Sequence, residues 1–138
     1  MKNTYYLDSE IENIDRESNR LKTNKPASPF GYILGDPSKI QRHNYLLNKM
    51  LYSDKLNSGL SYNKEELEEL FSYFSKITNY ISSHCNRREI INGTEYLISD
   101  DENMPPLEKS RFKLYLSNMK KVYQIYGKVL DDLISEFD

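Results

Sequence analysis

The sequence lacks the residues on which several kinds of chemistry depend. Its 138 residues include no tryptophan, a single cysteine and two histidines. One cysteine cannot form an internal disulfide or supply the paired thiolates of a structural zinc site. No glycine-rich phosphate loop, H-E-x-x-H motif or G-x-S-x-G motif occurs in the sequence. We therefore expect a non-enzymatic protein that needs neither a metal ion nor another cofactor.

Long apolar runs are also missing. No segment approaches the roughly 18 apolar residues of a membrane span, and the opening MKNTYYLDSEIENIDRE has no apolar stretch typical of a signal peptide. The formal net charge is −2, so no overall field favours nucleic acid or a membrane surface. These absences predict a cytoplasmic protein without membrane contact. Its partner is then expected to be another protein, with self-association as a further option.

Length and composition indicate a single small domain. A chain of 138 residues is near the commonest domain size and can bury roughly two thirds of its unfolded surface in one core. Asn, Lys, Ile and Tyr supply 49 of the residues, and their AT-rich codons are typical of a low-GC bacterium, its phage or an AT-rich virus. We expect one helical domain over residues 1–138, located in the host-cell cytoplasm if a phage or another virus encodes it.

Four segments carry apolar residues at alternating three- and four-residue spacings, the pattern of an amphipathic helix. The first covers about residues 7–21, and prolines and glycines then predict a loop or linker over residues 24–35. The second begins with Asp36 as N-cap and Pro37 in the first turn. Its predicted core positions are Ile40, His43, Leu47 and Met50.

The third and fourth helical segments have longer apolar patterns. The third begins with Asn63 as N-cap. Its apolar row fades into the polar residues His84 and Arg88 after Leu67, Leu70, Phe74, Ile77 and Ile81. The fourth begins around Pro105 or Pro106. Its predicted core seam has eight members: Phe112, Leu116, Met119, Tyr123, Tyr126, Leu130, Leu133 and Phe137.

Between these two segments the sequence allows two structures. Gly93 could close the third helix in a left-handed conformation, or Asn92-Gly93 could form the turn of a β-hairpin. The overall prediction is an all-α fold, a small bundle of about four amphipathic helices. A short β-hairpin near residues 88–98 is kept as the open alternative.

His84 and Cys85 are neighbours in sequence, which raises the question of a reactive thiol. Adjacent helical residues point about 100° apart, so His84 cannot act as the base for Cys85. Cys85 also lies near the C-terminal end of its helix, where the helix dipole opposes ionisation of the thiol. We interpret Cys85 as structural or inert.

Two groups of residues remain as candidate binding surfaces. Apolar residues of the 24–35 loop either cover the bundle or dock a partner, and the polar end of the third helix offers a second docking point. The partner-binding candidates are Phe30, Tyr32, His84 and Arg88. Cations on the last helix form a basic stripe of the kind that binds phosphates. The nucleic-acid candidates are Lys109, Arg111, Lys113, Lys120 and Lys121.

The absent catalytic motifs and the small helical domain favour an interaction protein. The main hypothesis is a helical protein-interaction module, phage-encoded or otherwise accessory, that binds and modulates a larger protein machine. The alternative is a small helical subunit or regulator that binds nucleic acid through the basic stripe.

Overall fold

The computed structural model describes residues 28–57 and 64–138, with side chains described throughout except at 53–57. The predicted helix at residues 7–21 and the predicted cap at Asn63 lie outside these ranges. Four helices are described: α1 Pro29–Leu34, α2 Pro37–Asn57, α3 Lys64–His84 and α4 Lys109–Glu136. Three strands follow α3 and precede α4: β1 Arg87–Ile91, β2 Thr94–Ile98 and β3 Leu107–Glu108. The described part is therefore mostly helical with a small antiparallel sheet, and the all-α prediction is confirmed only in its helical part.

Helix α1 replaces much of the loop predicted over residues 24–35. The hydroxyl oxygen of Ser28 caps the helix by accepting from the backbone N–H of Gly31 at 3.0 Å. Gly35 ends it with a φ of 81°, which glycine adopts at little cost. Prolines predict an interruption of helical structure, but Pro29 occupies the first turn of α1, where the missing N–H breaks no helical bond.

Helices α2 and α3 pack antiparallel and confirm the predicted core rows. Asp36 accepts from the Ser38 backbone N–H at 2.8 Å, as expected of the residue before the helix. The buried positions of the two rows are Ile40, His43, Leu47, Met50, Leu67, Leu70, Ile77 and Ile81. The Arg42 guanidinium donates twice to the Glu69 carboxylate, at 2.9 and 3.0 Å, and so links the two helices at their polar edge.

The segment after α3 forms the hairpin that the sequence left open. Strand β1 pairs antiparallel with β2, from Arg87 opposite Ile98 to Ile91 opposite Thr94. The turn residues Asn92 and Gly93 have φ of 52° and 83°, the pair of positive values that a tight hairpin turn requires. Strand β3 adds to the other edge of β2, which gives the order β1-β2-β3.

Helix α4 buries a different face from the one predicted. It begins at Lys109 rather than at the prolines, and its buried residues are Tyr115, Asn118, Met119, Val122 and Ile125. Only Met119 belongs to both this face and the predicted seam, although Phe112 and Tyr126 also pack against the core. The remaining seam residues, Leu116, Tyr123, Leu130, Leu133 and Phe137, are 39% to 87% exposed.

The physical reason for this error is that α4 has apolar residues on two adjacent stripes. The predicted seam follows a 3.5-residue repeat, whereas the helix completes a turn every 3.6 residues. Such a seam therefore drifts around the helix by about 20° per heptad and leaves the buried face. The bundle buries the stripe centred on Tyr115 and Val122, and this stripe includes the polar Asn118.

Over the described ranges no helix combines the length and apolar character needed to cross a bilayer.

Candidate functional site

The predicted site residue Tyr32 lies where α1 meets the loop after β2. Its hydroxyl donates to the carboxylate of Asp101. In the same region the hydroxyl oxygens of Tyr80 and Ser99 are 2.9 Å apart, and Ser99 also accepts from the Asp101 backbone N–H at 3.0 Å. The Tyr32 and Tyr80 rings meet edge to face, with centroids 6.2 Å apart. This network fastens α1, α3 and the 99–104 loop to one another.

His84, the second predicted site residue, closes α3 beside the same loop. Its Nδ1 is 3.0 Å from the Asp100 carboxylate, and its carbonyl oxygen accepts from the Asp100 backbone N–H at 2.8 Å. Its ring packs on the Tyr80 ring with centroids 4.5 Å apart. The structure therefore brings Tyr32 and His84 into one polar cluster through Tyr80 and the adjacent aspartates.

The electrostatics of this cluster favour structural hydrogen bonds over proton transfer. The hydrogen bond to Asp101, together with burial and the negative charge of Asp101, raises the pKa of Tyr32 to about 12. The same hydrogen bond lowers the pKa of Asp101. Burial and the nearby Asp100 raise the pKa of the Cys85 thiol, which keeps it in the weakly nucleophilic protonated form. These shifts stabilise a neutral phenol, an ionised carboxylate and a protonated thiol.

The other two partner-binding candidates require correction. Phe30 is fully buried, and its ring packs on the Tyr115 ring at 5.4 Å, so it belongs to the core and not to an accessible surface. Arg88 lies on β1, because α3 ends at His84, so it does not share a helical face with His84. Its guanidinium is 3.8 Å from the Glu95 carboxylate across the hairpin.

His43 lies in the interior and not in the polar cluster. It is fully buried, with Nε2 3.1 Å from the Tyr115 hydroxyl and Nδ1 3.2 Å from the Asn44 side-chain oxygen. Desolvation by burial lowers its pKa to about 4, so it is neutral at physiological pH. Within residues 28–57 and 64–138, no group of three His, Cys, Asp or Glu side chains is arranged to hold a metal ion.

The predicted basic stripe divides into two parts. Lys109 donates to Glu95 at 3.1 Å, and the Arg111 guanidinium is 3.8 Å from the Glu108 carboxylate, so acids already accompany these two cations. Lys113, Lys120 and Lys121 are exposed, and no ion pair joins them to another described residue. The part of the predicted basic stripe without a neighbouring acid is therefore limited to Lys113, Lys120 and Lys121.

A groove of about 470 Å³ lies between α2 and α4. Its lining residues are Leu51, Tyr52, Asn118, Lys121, Gln124, Ile125 and Lys128. Lys128 also lines the groove and extends the basic surface, because it follows Lys121 by seven residues and therefore lies on the same side of α4. The two ammonium groups and the neighbouring amides offer hydrogen-bond donors suited to an anionic group.

The second feature of α4 is an apolar stripe, which we define as Leu116, Tyr123, Leu130, Ile134 and Phe137. Each of these side chains is at least 39% exposed, and Phe137 reaches 87%. Tyr123 marks the edge of the core, since its ring stacks on the Phe71 ring at 4.4 Å. Contiguous apolar surface at this spacing is typical of a helix that packs against another helix.

No protein-family model, curated protein or solved structure matches this chain. The surfaces of α4 and the polar cluster are therefore interpreted from their geometry alone. The predicted seam contained four of the five stripe residues, all except Ile134, but it assigned them to the core. A signal that distinguishes the two was present, because apolar residues occupy more of the circumference of α4 than one bundle face can cover.

Proposed function

We propose that this chain is a non-enzymatic helical protein-interaction module and that the apolar stripe of α4 is its protein-binding surface. The exposure of this stripe, 39% to 87% for residues at near-heptad spacing, is the observation that carries the proposal. A helix with an apolar stripe binds other helices or grooves because association removes that surface from water. In its wider role we propose a cytoplasmic factor, phage-encoded or otherwise accessory, that binds and modulates a larger protein machine.

The geometry of the helix end supports this assignment. Leu130, Ile134 and Phe137 lie on the last two turns of α4 or directly after them, where the exposed fraction rises along the chain. A fully exposed large apolar side chain forgoes roughly 1.5 to 3 kcal/mol of burial free energy. A docked protein would recover part of this free energy at several positions together.

The proposal is tested by co-expressing a tagged chain with an untagged copy in the source cell, isolating the tagged chain and identifying the proteins bound to it. The stripe variant carries Leu130→Ser, Ile134→Ser and Phe137→Ser. The control carries Ser117→Ala, Asp132→Ser and Glu136→Ser, three exposed changes on the same helix outside both the stripe and the groove. The wild type and the control should retain the same bound proteins, whether the untagged copy or others, and the stripe variant should lose them.

The readout also requires an intact fold. Because the three stripe positions are exposed, circular dichroism and thermal melting of the stripe variant should remain close to wild type. Proteins retained equally by the folded stripe variant and the wild type would contradict the proposal.

The nucleic-acid alternative is favoured by one observation. Lys113, Lys120, Lys121 and Lys128 are exposed on one side of α4 without an ion pair to another described residue. If this surface binds phosphates, affinity for RNA or DNA should fall with salt, with a slope of about −0.7 to −0.9 per neutralised phosphate. Replacing these four lysines by Glu should then abolish binding in a mobility-shift assay, and salt-independent or absent binding argues against this function.

A further inference from the structure

A glycine lies in the middle of α4 at a position where the fold gives no reason for one. Gly127 is interior to a 28-residue helix, and the described glycines with positive φ are Gly35 and Gly93 instead. A Cβ atom built on Gly127 would meet no atom within 4 Å. Glycine inside a helix is less favourable than alanine by roughly 1 kcal/mol. Its usual benefit is that another backbone can approach closely.

Gly127 lies within the apolar stripe. With about 100° of rotation per residue, it falls with the five stripe residues inside an arc of about 80°. The stripe extends from Leu116 to Phe137, about 32 Å along the helix, and Gly127 is near its midpoint. The position at which a second helix would cross the stripe therefore carries the smallest residue.

Charges beside the stripe change sign along the helix. Lys113 and Lys120 flank its N-terminal half, and Asp131 lies on the same flank of its C-terminal half. All three residues are exposed. In two antiparallel copies related by a two-fold axis, the same flank of each helix faces the other copy, so each basic half meets an acidic half. A parallel pair does not bring these two flanks together.

We infer that the apolar stripe binds the same stripe of a second copy of this chain in an antiparallel dimer that crosses at Gly127. This inference rests on the proposed function of the stripe as a protein-binding surface. A single register satisfies the apolar and the charged residues. It places Leu116 opposite Phe137 and Tyr123 opposite Leu130, and on the flank it brings Lys120 within two residues of Asp131, about 3 Å along the axis, which a lysine side chain spans. Such an interface is isologous and closes on itself, as most homodimer interfaces do.

The first test compares molecular masses in solution by sedimentation or light scattering at about 100 μM chain. This concentration is tenfold above the Kd of about 10 μM that we expect for the dimer. Wild type should show an average mass of about 1.8 times the 16.3 kDa mass of the chain, because about four fifths of the chains are then in dimers. Gly127→Trp adds bulk at the crossing and should raise Kd at least about tenfold, whereas Ser117→Trp, exposed outside the stripe, should not. Circular dichroism should show that both variants remain folded, because neither site lies in the core.

The second test examines the antiparallel register. Lys120→Glu and Asp131→Lys each place like charges opposite one another twice per dimer, so each should raise Kd about tenfold. The double variant restores opposite charges and should return Kd to near the wild-type value. This rescue does not depend on any change at Gly127.

A wild-type chain that stays monomeric at this concentration overturns the dimer. So does a folded Gly127→Trp variant that dimerises as tightly as wild type, or a charge swap that gives no rescue. Failure of the dimer is distinguishable from failure of the proposed function. In the co-expression experiment, loss of other bound proteins from the stripe variant without capture of the untagged copy would reject self-pairing and retain the stripe as a docking surface.

Discussion

Nε2 of His43 on α2 lies 3.1 Å from the hydroxyl oxygen of Tyr115 on α4. The two rings are also tilted against each other, with centroids 5.5 Å apart. Both residues are fully buried. Because Nδ1 faces the Asn44 side-chain oxygen, an acceptor, the neutral ring donates from Nδ1 and accepts the Tyr115 hydroxyl proton at Nε2, which connects two helices inside the core.

The first prediction concerns the pH dependence of stability. Burial lowers the pKa of His43 from 6.5 to about 4, so the unfolded chain takes up the proton more readily. The stabilisation associated with neutral His43 is fully present above about pH 6.5 and is lost as pH falls toward 4, with a maximum of about 3 kcal/mol. In denaturant titrations from pH 4 to 8, His43→Gln should have a flatter profile than wild type. Equal slopes for both proteins would contradict a neutral buried His43.

The second prediction separates the two apolar stripes of α4. Met119 is fully buried, whereas Leu130 is 40% exposed. Met119→Asp places an unpaired charge in the core and should cost several kcal/mol, enough to unfold a marginal domain. Leu130→Asp should cost about 1 kcal/mol or less. Thermal melting of dilute samples checks both, and similar losses would mean that the two faces are buried alike.

The third prediction compares one substitution at two glycines. Gly93 has a φ of 83° in the hairpin turn, so Gly93→Ala should destabilise the protein by about 1 kcal/mol or more. Gly127→Ala, in a helix with open space around its Cβ, should stabilise the monomer by up to about 1 kcal/mol. Chemical denaturation at low protein concentration measures both changes. Destabilisation by Gly127→Ala under these conditions would show that the monomer itself needs this glycine.

The fourth prediction concerns Cys85. Burial, and secondly the Asp100 carboxylate, raises the pKa of its thiol. We expect a slower reaction with a disulfide reagent at pH 7 than that of an unstructured peptide thiol, and Asp100→Asn should accelerate it modestly. Cys85→Ser should leave partner binding unchanged. A reaction faster than the peptide's would indicate an activated thiol.

Local sequence was sufficient for the features that depend on neighbouring residues. The three- and four-residue spacing of Ile40, Leu47, Leu67 and Leu70 predicted the buried faces of α2 and α3, because one helix period brings such residues to one side. Asp36 was correctly identified as a cap for the same local reason. Asn92-Gly93 suggested the hairpin, but sequence alone could not separate it from a helix end, since glycine serves both structures.

Tertiary structure decided which of several compatible faces became buried. Phe30 entered the core because α1 packs beside Tyr115, a contact between residues far apart in the chain. The polar cluster formed because the 99–104 loop returns to Tyr32 and His84. On α4, both stripes are apolar enough to be core, and packing against α2 and α3 selected the one containing Tyr115 and Val122. Periodicity determines that a helix has an apolar face, but only the positions of the neighbouring helices determine how much of that face they cover.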